Sequence, residues 1–177
     1  MIVIDASAMV SALVDDPAIP ELLALLADEE LHAPAMLDFE VASALRGHLF
    51  GGLLDQARAD EALDDFAALQ IERHPMTQVL HHILDLRENF AAYDAAYVVL
   101  AQGLEASLVT CDTKMKEAER LGVKVQIILA GWLSPARCGL LTSIPSADGF
   151  RRYAPEITLS QGELDEVRHV LGQMLMG

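Results

Sequence analysis

Short apolar runs alternate with longer helical stretches over residues 1–130, and that alternation restricts the fold more than any other feature. IVID (2–5), LHA (31–33), IER (71–73), SLVTCD (107–112) and VKVQIIL (123–129) read as strands. The stretches between them carry helical signals. Residues 7–14 make a first helix, stopped by Asp15, Asp16 and Pro17. Pro20 starts an amphipathic helix over 20–30, at a position where proline is tolerated. A long helix over 36–50 stops at Gly51 and Gly52, and another covers 55–69. Thr77 has the character of an N-cap for a helix reaching Asn89. YDAAYVVLAQGL (93–104) is a helix that Gly103 helps to end, and TKMKEAERLG (113–122) is the last helix of this block. Strands that are apolar throughout and separated by helices imply a mainly parallel sheet. Right-handed crossovers then put helices on both of its faces. The expected class is α/β.

The pattern changes after about residue 130. Pro135, Gly139, Pro145, Gly149 and Pro155 punctuate an irregular linker. SQGE at 160–163 fits a capping box, and Leu164, Val167, Leu171, Met174 and Leu175 share one face of the helix that follows, about 160–175. The expected organisation is one α/β domain over 1–130 and a C-terminal extension over 131–177.

Composition narrows the partners. The chain is 53% hydrophobic, which excludes disorder. No apolar run approaches bilayer length, and no secretory pattern opens the chain. Two cysteines, Cys111 and Cys138, are too few for a disulfide framework, so a cytoplasmic protein without a membrane partner is expected. With 27 Asp and Glu against 12 Lys and Arg, the chain does not grip nucleic acid by bulk charge. A nucleic-acid substrate requires bound metal, a basic partner or a local basic strip, and Lys114, Lys116, Arg120 and Lys124 form one. The plain reading of that strip is the solvated face of a helix.

Some of the acids occupy special places. Asp5 follows IVI and Asp112 follows LVTC, at the carboxyl ends of two strands, where open parallel sheets bind ligands. Asp94 opens a helix. Singly, each is adequately explained as a helix cap. Together, close carboxylates repel and raise one another's pKa, so a cluster is favourable only around a cation. Hard oxygen donors suit Mg²⁺ or Mn²⁺. The 36–50 helix adds Asp38 and Glu40, which point in well-separated directions, and periodicity does not choose between them. His81 and Asp85 lie one helical turn apart, but a solvated face explains them without a metal. No phosphate-binding glycine loop or serine nucleophile elbow is present.

IVIDASAMV, APAMLDFEVASALR, AYDAAYVVLAQGLEASLVTCD and GVKVQII, in this order and spacing, together resemble a PIN domain, and more narrowly the toxins of VapBC toxin–antitoxin modules. The resemblance implies a PIN-like α/β/α sandwich. It also implies a Mg²⁺-dependent endoribonuclease, with Mn²⁺ as the alternative ion, that hydrolyses RNA phosphodiesters with metal-activated water. Its acidic site falls on Asp5, Glu40, Asp94 and Asp112, as catalytic residues and metal ligands, and it selects Glu40, the acid before VASALR. Ser7 and Thr110 match supporting hydroxyl positions. RNA as substrate, a cognate antitoxin and a homodimer are the implied partners. A housekeeping PIN nuclease in RNA processing or DNA repair, and a PIN-like binding module without catalysis, are the alternatives. Residues 131–177 depart from the family pattern.

Overall fold

A computed structural model describes residues 1–129. Five strands, β1 (Ile2–Ile4), β2 (Leu31–Pro34), β3 (Ile71–His74), β4 (Ser107–Thr110) and β5 (Val125–Ile127), form one sheet in the order β3-β2-β1-β4-β5. Every pairing is parallel, as the apolar strands imply. Among the described residues six α-helices accompany them: α1 (Ala6–Val14), α2 (Pro20–Asp28), α3 (Leu37–Phe50), α4 (Gln56–Ala68), α5 (Leu80–Asp85) and α6 (Ala92–Leu104).

Strand order decides where the helices go. From β1 the chain steps to β2 and β3 on one side, then returns past β1 to β4 and β5 on the other. Right-handed crossovers running in opposite directions place their helices on opposite faces. Accordingly α1, α3 and α4 pack on one another, while α6 packs on β1, β2, β4 and α5. Between the layers Ile4, Met9, Leu37, Leu108 and Tyr97 are almost wholly buried. The order reverses between β1 and β4, and the crevice beyond the carboxyl ends of such a strand pair is where open α/β sheets bind ligands.

Most expected elements end within a residue or two of their sequence-read bounds, and the exceptions have local causes. SLVTCD is a strand only to Thr110, because the Thr110 hydroxyl accepts the Asp112 N–H at 3.0 Å and turns the chain out of the ladder. Residues 113–121 wind as a 3-10 helix rather than an α-helix. Its first turn is tightened by Asp112, whose carboxylate accepts the Lys114 N–H at 2.9 Å and whose carbonyl accepts that of Met115 at 3.1 Å. Thr77 does not cap a helix to Asn89. It begins a short 3-10 turn (Thr77–Val79) that makes no side-chain cap, and α5 lasts six residues. Val79, His81 and His82 are weak helix formers in that stretch. Gly103 lies inside α6, and the residue that turns left-handed to end the helix is Glu105, with φ 52°. The last strand is shorter than 123–129, covering Val125–Ile127. The extension 131–177, with its expected helix at about 160–175, lies outside the described residues.

Candidate active site

Asp5 and Asp112 stand at the reversal point by construction, one immediately after β1 and the other two residues after β4. Both do cap helices: Asp5 accepts the Ser7 N–H at the start of α1, and Asp112 accepts the Lys114 N–H. Capping and a place at the reversal point therefore coincide. Asp94 is in the first turn of α6, with Ala91 as the cap residue. It does not open the helix as the sequence suggests, yet it stays where the helix dipole favours an anion.

Glu40 and Asp38 separate cleanly. The single Arg73 Nε–H on β3 is shared between the two Asp38 carboxylate oxygens, at 2.8 and 3.0 Å, and the Asp38 charge is satisfied there. Glu40 accepts a 2.6 Å hydrogen bond from the hydroxyl of Tyr97, a residue only 1% exposed on α6. Tyr97 was not singled out from the sequence as a site residue. It lies three residues after Asp94, so both reach the site from one face of α6.

Asp5 is held by a dense set of donors. Thr110 Oγ1 donates to Asp5 Oδ2 at 2.8 Å, Ser7 Oγ donates to the same oxygen, and the Ser7 N–H lies 3.3 Å from it. Ser7 Oγ and Thr110 Oγ1 also lie 3.1 Å apart. Two hydroxyls have only two protons for these three contacts. Directing both at Asp5 favours its carboxylate form. The hydroxyl oxygens in turn accept backbone N–H groups, Ser7 from Cys111 at 2.9 Å and Thr110 from Asp112. Ser7 and Thr110 thus lock the loop after β4 to the end of β1.

Burial raises Asp5, Glu40 and Asp94, and neighbouring carboxylates raise the last two further. Burial is the main cause for Asp5, whose pKa stands above the usual carboxylate range despite its hydrogen bonds. Glu40 is pushed up to about 7, first by burial and then by the charges of Asp5 and Asp94, against the Tyr97 hydrogen bond. Asp94 is raised to about 6 by burial and by Asp5 and Asp112, with Lys114 the one cation pulling it back. Burial and the charges of Asp5 and Glu40 likewise hold the Tyr97 phenol protonated, as its donation to Glu40 requires. All four acids therefore share one electrostatic field. Among the described residues no three of them bring carboxylate oxygens within 4.8 Å of one another. An all-oxygen donor set, repelling itself and partly desolvated, fits a hard divalent cation. His81 and Asp85 are exposed on α5. In the basic strip, Lys114, Lys116 and Lys124 are exposed, while Arg120 pairs with Glu117.

Comparison with known proteins identifies the family and the fold. The family model for the PIN domain matches residues 2–121. Ribonuclease VapC9 of Mycobacterium tuberculosis is 35% identical over 128 residues, covering 72% of this chain and 98% of that protein. Ribonuclease VapC12 of the same species is 31% identical over 128 residues, covering 72% and 99%. The crystal structure of PAE2754 from Pyrobaculum aerophilum shares the fold, with a TM-score of 0.53 at 20% identity, over 80% of this chain and 89% of that one. The chain belongs to the PIN domain family, among its VapC-type members.

Proposed function

We propose that the chain is a divalent-metal-dependent endoribonuclease acting as the toxin of a toxin–antitoxin pair, with Asp5, Glu40, Asp94 and Asp112 as the residues that hold Mg²⁺. The observation that carries this reading is that Asp5 is raised by burial, while Glu40 and Asp94 are raised by burial and by the charges of neighbouring acids, Asp5 and Asp94 on the one and Asp5 and Asp112 on the other. The VapC ribonucleases it resembles support RNA as the substrate and a cognate antitoxin as the partner. Residues 1–130 are the nuclease domain in this reading, and 131–177 are an appendage beyond the part shared with those relatives.

When bound, the cation supplies a lowered pKa to water and charge stabilisation to the phosphoryl group. The protein's own part is to fix the ligands. Ser7 and Thr110 favour the ionised form of Asp5 against its burial, and aim it, by donating to Oδ2. Tyr97 occupies Oε2 of Glu40, which leaves Oε1 for the site. The backbone N–H of Lys114 fixes Oδ1 of Asp112, leaving Oδ2. Lys114 is exposed beside these acids and is suited to a phosphate of the RNA backbone. No side-chain nucleophile is required.

The test is cleavage of RNA by the purified chain with Mg²⁺ and with chelator, beside Asp94→Asn. Wild type should cut only with the metal. The variant should fall by about two orders of magnitude or more while remaining folded, since it loses one of the proposed metal-holding charges. Equal cutting by wild type and variant would remove the acids from the reaction.

A further inference from the structure

A second group of ligand-type side chains lies away from the acids, on the opposite arm of the sheet. Strands β2 and β3 pair in parallel with His32 opposite Glu72 and Pro34 opposite His74. Alternate residues of a strand share a face, so His32, Glu72 and His74 all project from the same side. His32 Nδ1 and His74 Nε2 are 2.9 Å apart. Oxygens of Glu72 lie 3.7 Å from each of those nitrogens. We propose that His32, Glu72 and His74 form a zinc-type metal site, distinct from the acidic site in both position and metal preference.

The separations fit a first coordination shell. Zinc binds imidazole nitrogen and carboxylate oxygen at about 2.0–2.2 Å, so two ligands of a tetrahedral ion stand roughly 3.3–3.5 Å apart. The three separations here bracket that value. Donor chemistry separates the two sites. Two imidazoles and a carboxylate favour zinc and its transition-metal neighbours, whereas the carboxylates near β1 and β4 favour magnesium or manganese. His32 is buried, His74 half-buried and Glu72 exposed. The anchoring ligand is thus held in the sheet, and the exposed Glu72 opens the cluster to solvent. The adjoining cleft, lined in part by Asp28, Glu29, Glu30 and Glu72, presents negative charge to an approaching cation.

Without metal, one imidazole donates its proton to the other across the 2.9 Å contact. On binding, the donating ring moves that proton to its other nitrogen, so both lone pairs face the ion and no net proton need be lost. Because the ligands come together only through the β2–β3 register, the ion binds the folded chain alone and stabilises it.

The experiment uses the full chain free of any added histidine tag. Zn²⁺ uptake is measured by equilibrium dialysis in excess Mg²⁺, and Co²⁺ serves as a spectroscopic probe of geometry. Wild type is compared with His74→Gln, with Glu72→Gln at an exposed position that does not threaten folding, and with Asp94→Asn. The expected result is one tightly held Zn²⁺ per chain in wild type and in Asp94→Asn, with tetrahedral Co²⁺ absorption in both. Zn²⁺ affinity should drop by about tenfold or more in Glu72→Gln and further in His74→Gln. Absence of Zn²⁺ uptake by wild type would overturn the proposal, as would uptake that survives both β3 variants or disappears in Asp94→Asn. None of these outcomes depends on whether the acidic site cleaves RNA.

Discussion

Replacing Glu40 by glutamine should make the metal-free protein more stable at alkaline pH, while removing function. The Glu40 carboxyl is displaced from 4.5 to about 7, with burial as the first cause and Asp5 and Asp94 next. A folded-state pKa above the unfolded one means that the folded chain binds the extra proton. The stability this provides is fully present below pH 4.5 and is lost as pH rises through about 7. At about 1.4 kcal/mol per pH unit of displacement, the full loss is about 3.5 kcal/mol, and partial solvent screening brings it to roughly 2–3 kcal/mol. For a domain of this size that is a fall in Tm of roughly 6–12 °C. Glutamine is neutral throughout and still accepts the Tyr97 hydroxyl proton. Thermal unfolding in chelator should therefore find Glu40→Gln level with wild type at pH 4 and several degrees above it at pH 8. Added Mg²⁺ should raise wild type at pH 8 and raise the variant much less. A variant no more stable than wild type at pH 8 without metal would refute the claim that Glu40 is a buried charge waiting for a cation.

Two smaller perturbations examine other parts of the account. Lys114→Ala should weaken RNA binding and reduce the slope of log affinity against log salt by about 1, read by fluorescence anisotropy across a salt series, if Lys114 meets one phosphate. Glu105→Gly should stabilise the chain by about 0.5–1 kcal/mol in urea unfolding, because Glu105 ends α6 at φ 52°, where a side chain is strained and glycine is not.

The fold was legible because the central strands β1, β2 and β4 are buried and written as mainly apolar runs, and because crossover handedness leaves few ways to connect them. Asp5 and Asp112 were legible for a related reason: each follows a strand almost at once, so sheet topology alone carries both to one crevice. Glu40 was not legible from periodicity. Asp38 and Glu40 both lie in the first turn of α3, and what separates them is Arg73 on β3 for one and Tyr97 on α6 for the other. Such partners are fixed by packing between elements far apart in sequence, and only the family resemblance identified the residue beforehand. The cluster of His32, Glu72 and His74 escaped for the same physical reason. Its members are joined by the register of β2 on β3, whereas His81 and Asp85, adjacent on one helix, attracted attention by local spacing and stand in solvent. Helix ends were misread at Thr77 and Gly103, where residue type suggested a boundary that the backbone sets elsewhere.

The central claim is that the acids Asp5, Glu40, Asp94 and Asp112 cleave RNA with water as the nucleophile and a cation as cofactor. The chemistry of the ends produced by the purified chain in Mg²⁺ tests it most directly. Water attack leaves a 5′-phosphate and a 3′-hydroxyl, and these ends should disappear with chelator. Fragments ending in 2′,3′-cyclic phosphate, formed with or without Mg²⁺, would mean that the ribose hydroxyl attacks and that the acids do not hold a catalytic metal.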